Sequence, residues 1–156
     1  MNDARSWEYV GFWKRFIASI VDTLLLLAIT LPILYLTYGR AYWGSGKAIN
    51  GLVDILMTYV FPAIAVIWLW RRFGSTPGKM MFQARIVDAV TGDAPSTGQL
   101  VGRYFGYFVS TLPLCLGLIW VAFDARKQGW HDKLAGTVVI RSTQADNTPT
   151  TYQPRA

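Results

Sequence analysis

The fold is decided by R-F-I-A-S-I-V-D-T-L-L-L-L-A-I-T-L-P-I-L-Y-L-T-Y, residues 15–38. Between Arg15 and Arg40 the only charged residue is Asp22. Roughly 20 helical residues, each rising about 1.5 Å, cross the apolar core of a bilayer, so this stretch predicts a transmembrane helix. A carboxylate within such a helix costs about 2.5–3.5 kcal/mol to insert into the membrane. Groups elsewhere in the chain must therefore offset the cost of placing Asp22 there.

The composition around this stretch indicates a membrane protein of one domain. The chain has 156 residues, of which 53% are hydrophobic, and these residues gather in three blocks. A second helix is predicted at about residues 52–70, and a third apolar segment at 104–123. Alternating segments of about ten residues, which are typical of a transmembrane barrel, do not occur. We therefore expect an all-α polytopic membrane protein.

Charge and reactive residues exclude several classes of protein. The net charge is +6, but Lys and Arg flank the apolar blocks, so topology and lipid headgroups explain them better than nucleic acid. Cys115 is the single cysteine and His131 the single histidine, so neither a disulfide nor a metal site is expected. No set of nucleophile, base and orienting group can be assembled. We therefore expect no enzyme, no catalytic residue and no cofactor.

The segments outside the apolar blocks predict a small cytoplasmic β element. Alternation indicates a strand at residues 84–90, and a second short strand is expected at 137–140. Residues 1–14 are rich in aromatic side chains and are expected to form a short helix on the membrane surface. The tail, residues 142–156, is polar and rich in Thr and Pro, which predicts disorder.

The sequence G-S-T-P-G-K at residues 74–79 is not a phosphate-binding loop. It has three residues between its glycines where that motif has four, and Met80 follows Lys79 in place of Ser or Thr. We therefore exclude a nucleotide site in this segment.

Small residues and a proline shape the third apolar segment. Gly98, Gly102 and Gly106 recur at every fourth position of a helix predicted at residues 97–111, which favours close helix packing. Pro113 then interrupts the segment. The segment either crosses the membrane once or enters and returns as a re-entrant hairpin.

The distribution of Lys and Arg favours the hairpin. With the N-terminus in the cytoplasm and residues 1–141 counted, a hairpin places twelve basic residues inside and only Arg40 and Lys47 outside. A single span places eight inside and six outside. The hairpin also allows the two expected strands to pair on one side of the membrane.

Several stretches together resemble the RDD family of membrane proteins. They are K-R-F-I-A-S-I-V-D at 14–22, S-T-P-G-K at 75–79, I-V-D to T-G-D-A-P-S at 86–96, and R-K-Q-G-W-H-D-K-L-A-G-T-V-V-I at 126–140. The likeness covers about residues 11–141, so residues 1–141 are expected to form one RDD-like domain. The family takes its name from one arginine and two aspartates, which map onto Arg15, Asp22 and Asp132.

From the bacterial character of the sequence we expect a multi-pass protein of the bacterial inner membrane. The resemblance implies transport as one interpretation, since some members of the family are regarded as cation/proton antiporters. Asp22, Arg15 and Asp132 are then the candidate ion or proton sites, with Asp54 and His131 as secondary candidates. A carboxylate whose pKa is raised by burial and lowered by an arginine can exchange a proton for a cation. Three apolar blocks are few for a transport path, so this interpretation requires a homo-oligomer that binds a monovalent cation or proton.

The alternative is a non-catalytic membrane scaffold or assembly factor. In this interpretation the arginine and the two aspartates form a structural network, and Asp132 with His131 fastens the C-terminal motif to the first helix. Asp54 is then a carboxylate at the start of a helix, where the helix dipole favours an anion.

Overall fold

The fold is organised around one long helix in a computed structural model that describes residues 7–143. A short strand, β1 (Trp7–Tyr9), leads through Gly11 into α1 (Phe12–Tyr38). The helix continues through Pro32, and most of its large apolar side chains are exposed, including Leu36 at 84%. By length and composition it can cross a membrane, as predicted.

The second apolar segment, Leu52–Met80, is also long and apolar enough to cross a membrane. Its parts, which follow the short α2 (Ala41–Gly44), are α3 (Leu52–Ile55), a π-helical turn (Leu56–Val60), α4 (Phe61–Phe73) and α5 (Pro77–Met80). Pro62 lies in the first turn of α4, directly after the π-helical turn that accommodates the lost backbone donor. Gly74 ends α4 in the left-handed conformation, so the chain turns before α5.

The third apolar segment is bent. It consists of α6 (Thr97–Thr111), α7 (Leu116–Ile119) and a 3-10 turn (Trp120–Ala122), and it bends by 112° between α6 and the part that follows. Leu114 and Cys115, at the bend, have φ angles of 51° and 61°. The interruption expected at Pro113 is therefore present. By length and composition, residues 7–143 contain two helices able to span a membrane, or three spanning segments if the bent pair counts as one.

A three-stranded sheet ties the two ends of the described chain together. Strand β3 (Thr137–Ser142) lies between β1 and β2 (Ala84–Asp88) and is antiparallel to both, with Ile86 opposite Val139. The strand expected from alternation at 84–90 and the short strand expected at 137–140 are thus present and paired, the first ending at Asp88 and the second at Ser142. The helix α8 (Trp130–Ala135) precedes β3 and packs along α6.

The surface helix expected over residues 1–14 is wrong for residues 7–9, while residues 12–14 are the start of α1. Trp7–Tyr9 form strand β1, because Trp7 packs in a buried cluster with Val87, Val138 and Ile140 of the sheet. Burial of these apolar groups in the sheet outweighs the preference of the aromatic side chains for the membrane surface. Residues 1–6, and residues 144–156 of the tail predicted to be disordered, lie outside the described residues.

Candidate functional site

Arg15, in the first turn of α1, reaches residues from the far end of the chain. Its Nη2 donates to Asp132 Oδ2 at 2.6 Å, and its Nη1 donates to the carbonyl oxygen of Lys127 at 2.9 Å. The side chains of Arg15 and Asp132 are 8% and 0% exposed. Because both charges are removed from water, their pairing is needed to offset the cost of burying them.

A second arginine, Arg103 of α6, approaches the same carboxylate from the other side. Its Nη2 lies 2.8 Å from Asp132 Oδ1, and its Nη1 donates to Thr137 Oγ1 at 3.1 Å. The Nη2 contact does not have hydrogen-bond geometry, so it is an ion pair by distance and charge. We call Arg15, Arg103 and Asp132 the Arg–Asp network.

The position of Asp132 at the start of α8 explains why its side chain turns inward. The backbone N–H of Gly129 donates to Asp132 Oδ2 at 3.0 Å, which satisfies a free donor at the helix start. Burial disfavours the charged carboxylate, but Arg103 and Arg15 outweigh this effect and hold the pKa of Asp132 well below its usual range. Asp132 is therefore an anion at neutral pH.

His131 lies against the network as a neutral group. Its ring stacks on Tyr107 with 4.0 Å between centroids, and its Nε2 lies 3.0 Å from Arg15 Nη2. Arg15 can only donate, so Nε2 is the acceptor and Nδ1, 3.3 Å from Ser110 Oγ, carries the proton. Burial lowers the pKa of His131 well below its usual value, although Asp132 opposes the shift. The ring is thus a hydrogen-bonding group of the core.

Asp22 lies two turns further along α1 and has different partners. Thr76 Oγ1 donates to its Oδ2 at 2.5 Å, and the backbone N–H of Gly78 donates to its Oδ1 at 2.7 Å. A Cβ atom at Gly78 would overlap the carbonyl oxygen of Ala18, so glycine permits this close approach. Asp22 therefore fastens the S-T-P-G-K segment to α1.

Asp54 lies near the opposite end of α1. It accepts hydrogen bonds from the Asn50 backbone at 2.8 Å, Thr58 Oγ1 at 2.9 Å and the Tyr42 hydroxyl at 3.1 Å. Tyr38, which accepts from the Asp54 backbone, ends the helix that begins near Arg15, about 35 Å away by helical rise. The structure therefore brings Arg15, His131 and Asp132 together and leaves Asp22 and Asp54 in separate contacts.

The three glycines predicted to favour close helix packing, Gly98, Gly102 and Gly106, differ in their contacts. A Cβ atom added to Gly106 would lie 2.8 Å from His131 Cα, so this glycine sets the approach of α8 to α6. A Cβ atom at Gly102 would meet nothing within 4 Å, and one at Gly98 only the Ser96 hydroxyl oxygen at 3.9 Å. Of the three, only Gly106 makes the close packing contact expected from their spacing.

A cavity of about 270 Å³ opens between α1, α4 and α6, beside Asp22. Lys79, which is 4% exposed, lines it together with Thr76 and Tyr107. The ammonium group of Lys79 lies 5.6 Å from the centroid of the Trp70 ring. Across residues 7–143, no carboxylate lies within 4.0 Å of this ammonium group.

Sequence reasoning missed the contacts of Arg103 and Lys79. Arg103 was assigned only to membrane topology, and Lys79 was also placed in a phosphate-loop pattern that was excluded and in the motif S-T-P-G-K. Arg103 follows the buried Leu100 by three positions and precedes the buried Gly106 by three, so helical spacing places it on the inner face. Lys79 carries no comparable signal, because it lies in a four-residue helix between two turns. In the described part of the chain, no three His, Cys, Asp or Glu side chains are grouped so that they could hold a metal ion.

The fold and the network define a helical membrane protein with two or three apolar segments and a small β-sheet. The sequence model of the RDD family matches residues 9–136. The chain belongs to the RDD family, as its motifs predicted.

Three relatives illustrate the range of similarity. An uncharacterised protein of Rickettsia prowazekii is 42% identical over 76 residues, which are 49% of this chain and 42% of that protein. The uncharacterised protein YxaI of Bacillus subtilis is 27% identical over 147 residues, covering 83% of this chain and 95% of its own. The uncharacterised membrane protein YteJ of the same organism is 27% identical over 139 residues, covering 85% and 80%. No solved structure matches the chain.

Proposed function

We propose that this protein is a non-transporting scaffold of the bacterial inner membrane, with its N-terminus and β-sheet in the cytoplasm. The observation that carries the proposal is the 2.6 Å contact between Arg15 and Asp132. This contact joins the first membrane helix to α8 and to the strand that follows it. The Arg–Asp network therefore fastens the sheet to the membrane helices.

The surroundings of Asp22 also support a structural role. Both of its carboxylate oxygens already accept a hydrogen bond, one from Thr76 and one from Gly78. A monovalent cation at this carboxylate would also be repelled by the buried Lys79, whose charge interacts with Asp22. These contacts favour a fixed carboxylate over one that exchanges ions.

The pairing of the strands supports a re-entrant hairpin for the third apolar segment. β2 precedes this segment and β3 follows it, yet the two strands are hydrogen-bonded neighbours in one sheet. A segment that crossed the membrane once would leave the strands on opposite sides, where they could not pair. The 112° bend between α6 and α7 and the excess of basic residues on the proposed cytoplasmic side agree with a hairpin.

Ion exchange in vesicles tests the scaffold against transport. Purified protein is reconstituted into vesicles that contain a pH-sensitive dye, and Na⁺, K⁺ or Li⁺ gradients are imposed on wild type and Asp22→Asn. We expect proton movement no faster than in protein-free vesicles. Exchange by wild type that disappears in Asp22→Asn would overturn the proposal.

Hydrogen exchange tests the fastening directly. In Asp132→Asn the backbone amides of α8 and β3 should exchange faster, because the carboxylate that joins them to Arg15 and Arg103 is lost. Asp22→Asn serves as the matched control and should affect these amides less than Asp132→Asn does, since Asp22 bonds a different segment. Equal protection of α8 and β3 in wild type and Asp132→Asn would contradict the fastening role.

A homo-oligomeric cation/proton antiporter is the second candidate. It is favoured by one observation, which is that Asp22 borders the 270 Å³ cavity between the apolar helices. In that case the vesicle experiment gives cation-driven proton movement, and cross-linking in the same vesicles gives an oligomer.

A further inference from the structure

We propose that the cavity beside Lys79 binds one anionic phospholipid, with the phosphate at Lys79 and an acyl chain between α1 and α4. No member of the Arg–Asp network lines this cavity, although the charges of the network contribute to the potential there. The binding site does not depend on the scaffold function. It rests on the burial of Lys79, the local balance of charge and the shape of the cavity.

Lys79 is a buried cation that lines an open cavity. Only 4% of the residue is exposed, and no carboxylate of residues 7–143 forms an ion pair with it. A buried ammonium group is costly unless an anion offsets its charge. The Trp70 ring, 5.6 Å away, gives it a cation–π contact but no negative charge.

The surrounding charges favour an anion over a cation in the cavity. Lys79, Arg15 and Arg103 are three buried cations, and Asp132 is the buried carboxylate that pairs with the two arginines. Asp54 is also buried, but it lies near the opposite end of α1. Asp22 adds a further negative charge at the cavity wall, but Thr76 and Gly78 already donate to it. The cluster remains net positive, so a phosphate group with one negative charge complements it.

A second, largely apolar cavity of about 130 Å³ adjoins the first, and we call it the apolar extension. Leu26 and Val66 line both spaces, and the extension reaches Ile29 and Phe61 between α1 and α4. Both helices belong to segments able to span a membrane. A polar end with a lysine and an apolar end between membrane helices fit an amphiphile better than a free phosphate ion.

The test measures lipid binding to the delipidated full-length protein by native mass spectrometry. The probes are phosphatidylglycerol, phosphatidylcholine with the same acyl chains, and inorganic phosphate. The variants are Lys79→Gln, which removes the buried charge, Ala65→Phe, which fills the apolar extension, and Arg71→Gln. Arg71 is exposed near the end of α4, so its variant controls for the loss of one positive charge.

We expect one phosphatidylglycerol to bind per wild-type chain, and about tenfold more tightly than phosphatidylcholine. Lys79→Gln should lose this preference, Ala65→Phe should weaken binding, and Arg71→Gln should match wild type. Equal affinity of wild type for the two lipids would overturn the proposal. If inorganic phosphate binds as tightly as phosphatidylglycerol, the cavity is a site for a free anion and the lipid proposal is wrong.

The unfolding temperature of the wild-type protein with each lipid provides a test that needs no variant. Phosphatidylglycerol should raise the unfolding temperature of wild type more than phosphatidylcholine does, because it binds the folded state alone. An equal rise with both lipids would contradict the proposal without any variant.

Discussion

Arg15 and Asp132 are separated by 117 positions in the chain, yet Arg15 Nη2 donates to Asp132 Oδ2 at 2.6 Å. The contact joins the first turn of the first membrane helix to the first turn of α8. Because Arg103 binds the other oxygen of the same carboxylate, one anion holds two cations from two different helices. Loss of the anion should therefore cost more than loss of either arginine.

The first prediction concerns this asymmetry. Asp132→Asn should lower the free energy of unfolding by about 3–5 kcal/mol, because it leaves two buried guanidinium groups without their counter-ion. Arg15→Gln should cost less, since Arg103 still pairs with Asp132. Denaturant unfolding in detergent measures both variants and the double variant. Strictly additive effects of the two substitutions would show that Arg15 and Asp132 are not coupled.

An exposed ion pair provides a control for these measurements on the buried pair. Arg141 pairs with Glu8 at the surface of the sheet, where both side chains are partly exposed. Arg141→Gln should change the free energy of unfolding by at most about 1 kcal/mol, because solvent screens the pair.

The second prediction concerns the pH dependence of stability. The pKa of His131 is well below its ordinary value of 6.5 in the folded chain. As the pH falls below about 6.5, the histidine of the unfolded chain binds a proton that the folded chain does not bind. The free energy of unfolding should therefore fall as the pH decreases from about 6.5. The slope has an upper limit of about 1.4 kcal/mol per pH unit.

Replacement of His131 tests this assignment, because it is the single histidine in the sequence. In His131→Gln the stability curve between pH 6.5 and pH 5 should be flatter than in wild type. Asp132 affects stability in a lower pH range. Because its pKa in the folded chain is depressed, its contribution to the free energy of unfolding is lost only as the pH falls below about 4. An unchanged slope in the variant would rule out His131 as its source.

The third prediction compares two glycines of the same helix. Gly106→Ala should destabilise the protein, because the new Cβ atom would lie 2.8 Å from the His131 Cα atom and push α8 away from α6. Gly102→Ala is the matched control and should be neutral or stabilising by up to about 1 kcal/mol, since alanine favours helix and nothing lies within 4 Å. Thermal unfolding measures the stability of both variants. Equal effects of the two substitutions would contradict the close contact of Gly106 with His131.

The fourth prediction separates insertion from packing at Asp22. Asp22→Asn should insert into membranes as well as wild type, because the amide lowers the cost of crossing the apolar core. It should nevertheless lose about 1–3 kcal/mol of stability, because an amide nitrogen replaces one oxygen that accepts from Thr76 or Gly78. Membrane fractionation and thermal unfolding measure the two effects. A variant that fails to insert, or one that is as stable as wild type, would contradict this account.

The main elements could be predicted from local sequence patterns. A run of apolar residues marks α1, and alternation marks β2, because hydropathy and side-chain periodicity are properties of neighbouring residues. The motif around Asp132 was recognisable from the residues themselves. The strand at Trp7–Tyr9 was not, since its stability comes from pairing with β3, more than 125 positions later.

The sequence by itself determined that this chain is an RDD-family membrane protein with an unusual aspartate in its first helix. Only the tertiary structure decided which groups each charge meets. Arg103 joins Arg15 at Asp132, Asp22 turns to Gly78, and Lys79 is left beside a cavity. The physical reason is that a buried charge is offset by whichever group the fold brings within about 3 Å, and distance along the chain does not specify that group.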